Sequence, residues 1–106
     1  MLNFKNISGV AEKKQNRQYY FFKYTDNWLD LMEWFVDKGF EPKIRVEKNS
    51  VKIEKIGEVR YNTPPEVVKD EYVVFAPHDY TIYVLNAEDF YKNFIISKLD
   101  VLQNIN

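Results

Sequence analysis

The sequence predicts an α+β fold: an antiparallel sheet of about four to six strands carrying two helices, at about residues 26–38 and 87–102, both on one face. Three observations predict it. Residues 72–94 read without slack as strand, tight turn, strand and capped helix. Residues 43–56 alternate apolar and charged side chains around a short polar turn, the pattern of a hairpin. Residues 26–38 carry apolar side chains at helical spacing and stop at a glycine. No repeat or linker divides the chain, and 106 residues suit one domain, 1–106, with 1–17 as a loose arm or edge strand.

Taken in order, Leu2, Phe4 and Ile7 suggest a short edge strand, and Ser8-Gly9 is turn chemistry. Lys13, Lys14 and Arg17 form a small basic cluster in what reads as a solvated loop. Gln18–Tyr24 is a strand by aromatic content. Its apolar residues run continuously, which implies that both of its faces are covered. Thr25 is the expected N-cap of the first helix, with Asp26 in the first turn and Tyr24 stapled onto Leu29. Trp28, Leu31, Met32, Phe35 and Val36 make the expected buried stripe, and Gly39 follows Lys38 as a C′ residue.

In Lys43–Glu47, Ile44 and Val46 are expected inside, with Lys43, Arg45 and Glu47 outside. Lys48-Asn49-Ser50 turns the chain, with Asn49 suited to a left-handed conformation. Val51–Ile56 returns. Gly57 marks a bulge or turn, and Glu58–Tyr61 is a further short strand. Pro64 and Pro65 break any ladder, and 66–71 is a connector with one helical turn. Tyr72–Ala76 and Tyr80–Val84 are strands around Pro77-His78-Asp79. Tyr80, Ile82 and Val84 share one face, and Thr81 and Tyr83 the other. Asn86 caps the last helix, with Asp89 at N3 and a Leu85–Phe90 staple. Phe90, Tyr91, Phe94, Val101 and Leu102 line its apolar face, widened by Ile95, Ile96 and Leu99.

Composition excludes several classes. There is no cysteine, hence no disulfide framework, thiolate nucleophile or zinc–thiolate site. That suits a cytoplasmic location. No apolar run is longer than about five residues, against roughly 20 for a membrane span. Met1 is not followed by a secretory segment, so no signal peptide is expected. A formal net charge of -1 argues against indiscriminate binding to nucleic acid or anionic membrane. Aromatics make up 17% of the chain, more than one core needs, so some rings are expected at the surface.

Three short motifs carry a resemblance. Tyr24-Thr25-Asp26-Asn27-Trp28 leads from a strand into a short helix, Glu71-Tyr72-Val73-Val74 opens a late strand, and Tyr83 is followed by Phe90-x-x-x-Phe94. Over about residues 19–94 this resembles small accessory proteins of tailed phages and prophages of Gram-positive bacteria. It departs from their pattern at Asp70-Glu71, where Gly-Asp is usual, at Asp79, where a turn glycine is usual, and by a one-residue slip in the last segment. The resemblance implies a phage-encoded protein in the host cytoplasm. It implies no catalytic residue and no cofactor.

The residues themselves point the same way. His78 beside Asp79 can in principle act as an oriented base, but no nucleophile partner accompanies it, and neighbours in a tight turn rarely face each other. Asp26, Asp30, Glu33 and Asp37 lie along one helix, and a single helix face does not enclose a cation. Three glycines make no phosphate loop. No enzyme activity, cofactor or metal is expected. Trp34, placed by the helix period among Asp30, Glu33 and Asp37 on the outer face, reads as an aromatic anchor with an acidic rim. The expected partner is a host or phage protein, in host takeover, replication or anti-defence; a homodimer also fits. The alternative is single-stranded nucleic acid, with Lys43, Arg45, Lys52, Lys55 and Arg60 on phosphates and bases stacked on Tyr61, Tyr19, Tyr80 or Tyr83. Glu47, Glu54 and Glu58 cancel much of that field.

Overall fold

Two strands that bury side chains on both faces lie side by side at the centre of the molecule. In the computed structural model, which describes residues 7–13 and 17–100, Gln18–Lys23 (β2) pairs antiparallel with Tyr72–Ala76 (β7). The order of elements is Ser8–Glu12 (β1), β2, Trp28–Asp37 (α1), Pro42–Val46 (β3), Val51–Ile56 (β4), Val59–Arg60 (β5), Glu66–Val67 (β6), β7, Thr81–Leu85 (β8), Ala87–Asn93 (α2) and Ile95–Leu99 (β9). One antiparallel sheet has five strands in the order β8-β7-β2-β1-β9. The other has four, with β3 on one side of β4 and β5 and β6 on its other side.

The pleat of the large sheet sorts side chains into two cores. Tyr20, Phe22, Val73, Phe75, Ile82 and Val84 face α1 and the small sheet. Tyr19, Phe21, Tyr72, Val74, Tyr83 and Leu85 face α2. From α1 come Leu31, Trp34 and Phe35, and from the small sheet Val51, Ile53, Ile56 and Val67. From α2 and its C-cap come Phe90 and Phe94, with the Phe90 ring stacked on Tyr72 at 4.4 Å. The fold is thus α+β, but the helices lie on opposite faces of the large sheet, not on one. Two central strands that are apolar on both sides need a cover on each.

Both helix starts obey capping rules, and one of them starts elsewhere than expected. The Asn86 side chain accepts from the Asp89 N–H (2.7 Å), and Leu85 and Phe90 meet in one core, as the staple requires. At α1 the cap is Asn27, not Thr25: its side-chain oxygen accepts from the Leu29 N–H at 3.0 Å. Asp26, the expected first-turn residue, instead lies before the helix in a left-handed conformation, φ 73°. Tyr24 is buried in the core while Leu29 faces solvent, so that staple does not form. The other end is a Schellman close, with Phe40 N–H to Phe35 C=O and Gly39 N–H to Val36 C=O, both 2.9 Å.

The last helix ends at Asn93, not near residue 102. Phe94 is extended (φ -131°, ψ 149°), and β9 pairs with β1. Ile95, Ile96 and Leu99 suit either state locally, and the free edge of β1 decides. Ser8–Glu12 is accordingly an interior strand, not an arm or an edge. At Gly9 the two strands approach so closely that a Cβ would overlap the Lys98 carbonyl oxygen. Leu2, Phe4, Lys14, Val101 and Leu102 lie outside the described residues.

Smaller corrections concern the small sheet. Val46 is exposed near the end of β3, while Pro42 is buried at its start. Asn49 is not left-handed; among described non-glycine residues only Asp26, Asp70 and Tyr80 are. Glu66–Val67 is a strand rather than a helical turn, and it buries Val67 against β4.

The largest correction concerns α1. Trp34 is only 5% exposed, packed on Phe22 and Phe35, whereas Trp28 is 42%, Leu29 48% and Val36 57% exposed. The buried face is rotated roughly 75° from the expected stripe at 100° per residue. The indole burial stabilises by roughly 4–6 kcal/mol on area grounds. That exceeds the roughly 1–3 kcal/mol for its Nε1–H, which is buried without a partner. Trp34→Ala is therefore expected to cost about 3–5 kcal/mol in urea unfolding, and Val36→Ala less than about 0.5 kcal/mol. Equal midpoints for the two variants would contradict this packing.

Candidate functional site

With Trp34 turned inward, α1 presents a second apolar face to solvent. Trp28, Leu29, Met32 and Val36 recur at helical spacing and occupy adjacent positions on that face. Leu29, Met32 and Val36 line a shallow depression of about 320 Å³, edged by Glu33 and Asp37. Neither carboxylate has an ion pair among the described residues, and the same holds for Asp30, which is partly buried. Of the three carboxylates expected around Trp34, Glu33 and Asp37 edge this depression and Asp30 does not line it. Trp34, expected as the ring at their centre, is buried, and the exposed apolar side chains are those of the ridge. The signal was available in the sequence: α1 has apolar residues on three sides, and one core can cover only part of them.

The outer face of the small sheet gathers the expected cations. Lys43 stands opposite Lys55, Lys55 opposite Arg60, and Arg45 opposite Lys52. Like charges directly across a ladder are mildly destabilising. Glu54 moderates the repulsion, lying 3.4 Å from Arg45 and 4.0 Å from Lys43, and Glu47 lies 3.2 Å from Arg45. Lys52, Lys55 and Arg60 have no ion pair among the described residues.

The rings expected beside these cations are elsewhere. Tyr61 donates its hydroxyl to the Tyr80 carbonyl oxygen at 2.6 Å, and Tyr80 packs edge-on against Phe40 and Phe75. Tyr19 is buried in the other core, and Tyr83 is half-buried on the same face as Tyr19. None of these four rings offers a stacking platform beside the basic row; all pack against the two cores.

At the tip of the β7–β8 turn, His78 Nε2 and the Asp79 carboxylate are 3.7 Å apart. Asp79 is engaged by the backbone: its Oδ1 accepts from the Thr81 N–H at 3.1 Å, which holds the carboxyl below its usual range. His78 lies edge-on to Tyr19. The pair is accounted for by the turn. Among the described residues no group of histidine and carboxylate side chains is placed to hold a metal, and no helix is long and apolar enough to cross a membrane. No protein-family model, curated protein or solved structure matches the chain.

Burial leaves a titratable mark. Tyr61 is pushed up to about 12, chiefly by burial and then by the charges of Tyr80 and Asp79. Tyr72 is also raised, by burial and by its hydrogen bond to Tyr91, and Tyr24 by burial and Asp26. Each shift favours the neutral phenol in the folded state. Their stabilisation is complete below the ordinary value of about 10 and is lost as pH rises through the folded value. Stability is expected to decline from about pH 10 upward. An ultraviolet titration should show a tyrosinate step near pH 12 that Tyr61→Phe removes. An unchanged titration curve in that variant would contradict the burial of Tyr61.

Proposed function

We propose that the protein is a non-enzymatic binding module that engages another protein through the solvent face of α1. The observation that carries this reading is the row Trp28, Leu29, Met32 and Val36, with Leu29 and Val36 about half exposed on a helix already fully anchored by its other side. Apolar area displayed contiguously on a surface helix is a common mark of a partner site. The flanking Asp30, Glu33 and Asp37 favour a partner segment with basic residues beside its apolar ones. They also disfavour a two-fold homodimer through this face, since antiparallel pairing sets the same acidic edge against itself.

The resemblance to phage accessory proteins extends the proposal to a phage or prophage setting, with a role in host takeover, replication or anti-defence. Backbone conformation supports it. Asp70 stands where that pattern has glycine and is left-handed, with φ 74°. At the turn the match is looser, because the left-handed residue is Tyr80 rather than Asp79.

Leu29→Asp with Val36→Asp tests the site. Both positions are exposed, so the variant should fold with an unchanged circular dichroism spectrum. It should lose at least about tenfold in apparent affinity for proteins that the wild type retains from host lysate and that cross-link to position 36. Recovery of the same proteins at the same yield would refute the α1 site.

A second reading has one observation of its own, the cross-strand row Lys43, Lys55 and Arg60. Such a row is relieved by an anionic ligand, and single-stranded nucleic acid is the class considered. The absence of a ring beside it among the described residues predicts weak, purely electrostatic binding. In fluorescence anisotropy, oligonucleotide affinity should fall steeply with salt and drop further in Lys55→Glu. A flat titration at about 50 mM salt removes this reading.

A further inference from the structure

On the face of the large sheet opposite α1, the Lys13 ammonium sits among three aromatic rings. Its Nζ is 5.0 Å from the Tyr83 centroid, 5.6 Å from Phe94 and 5.8 Å from Tyr19. The rings are mutually inclined, by 79° between Tyr19 and Phe94, 63° between Tyr19 and Tyr83 and 56° between Tyr83 and Phe94. They therefore form three walls around one point rather than a stack. We propose that the Tyr19–Tyr83–Phe94 cage is a binding site for a trimethylammonium group, with Lys13 as its built-in competitor.

Three features support this assignment. The walls come from three separate elements, β2, β8 and the C-terminal cap of α2, so core packing holds them in place. Tyr19 and Phe94 are buried, and Phe94 stacks on Phe90 at 5.5 Å. Lys13 itself has no ion pair among the described residues, so the ring faces are the groups seen to attract its charge. Lastly, the occupant is a poor match for the site. A primary ammonium is compact and strongly hydrated, whereas a trimethylammonium carries the same charge with less hydration and more surface for three rings. Lys13 follows the last residue of β1 and reaches the cage on a flexible stem, so a rotamer change alone can vacate it. At the margin, His78 stands edge-on to Tyr19 at 5.6 Å, with its Nε2 3.7 Å from the exposed Asp79 carboxylate.

The chemistry recognised is the trimethylammonium group, whether carried by a methylated lysine or by choline. Tetramethylammonium, choline, trimethyl-lysine and the neutral tert-butyl isostere of choline are the probes, titrated into the full chain while the Tyr83 and Phe94 ring signals are followed by NMR. The expected result is saturable binding of the three cations at millimolar concentration and none of the isostere. Lys13→Ala removes the competitor and should tighten the cations several-fold, up to about tenfold. Tyr83→Leu should weaken them by a similar factor. A preference between choline and trimethyl-lysine identifies the source of the group, and equal affinity shows that the cage reads the group alone. Failure of Lys13→Ala to bind tetramethylammonium overturns the proposal. So does equal binding of choline and its isostere, which would make the cage an apolar hollow. Both decisive readings use the intact cage, so they stand even where Tyr83→Leu fails to fold.

Discussion

The constraint on which the rest depends is that β2 and β7 are apolar on both faces. Phe21 and Val74 point one way, Phe22 and Val73 the other, and all four are buried. A sheet with such a centre cannot leave a face in water. α2 is short and, with its C-cap, covers one side with Phe90 and Phe94. The other side is shared between α1 and the small sheet, which brings Val51, Ile53, Ile56 and Val67 to the same core. The small sheet is thus a lid on a core rather than an independent layer, and its free outer face is where the cations collect.

Once two faces are filled, the aromatic content is mostly explained. Phe22, Trp34, Phe35, Phe40, Phe75 and Tyr80 form one connected set of rings, and Tyr19, Phe21, Tyr72, Tyr83, Phe90 and Phe94 another. Large flat side chains fill two thin cores in a small chain at little entropic cost. Fewer rings than expected remain for recognition, chiefly Trp28 and Tyr91. The aromatic anchor is correspondingly replaced by an aliphatic ridge with Trp28 at its end. On the other face a cation finds rings because those rings were placed by the core.

α1 shows what surface is left over when burial is allotted. Its apolar residues occupy three sides, and the core takes the side with Trp34, Phe35 and Leu31. Those side chains pack against Phe22 and the rest of that core, and the indole burial is enough to offset a lost hydrogen bond. Trp28, Leu29, Met32 and Val36 are what that choice leaves outside. The proposed binding face is therefore a by-product of the same packing that holds the helix.

By itself, the sequence determined the parts whose causes lie within a few residues. The hairpin of residues 43–56, the strands on either side of Pro77-His78-Asp79, the Asn86 cap and the Gly39 close all follow from alternation, turn chemistry and capping, which need no distant partner. Tyr80, expected in the second strand, is however a left-handed turn residue, and the strand begins at Thr81. The two-sided burial of residues 18–24 was legible too, because a continuous apolar run has no wet face. Only the tertiary structure decided which side of α1 faces inward, which sheet face each helix covers, and that Ile95–Leu99 is a strand on β1. Those outcomes depend on competition for area and on hydrogen-bonding edges supplied by segments far away in the chain. Local periodicity is the same for either outcome, and the side chains of a helix apolar on three sides acquire their roles only when a particular surface arrives to cover one of them.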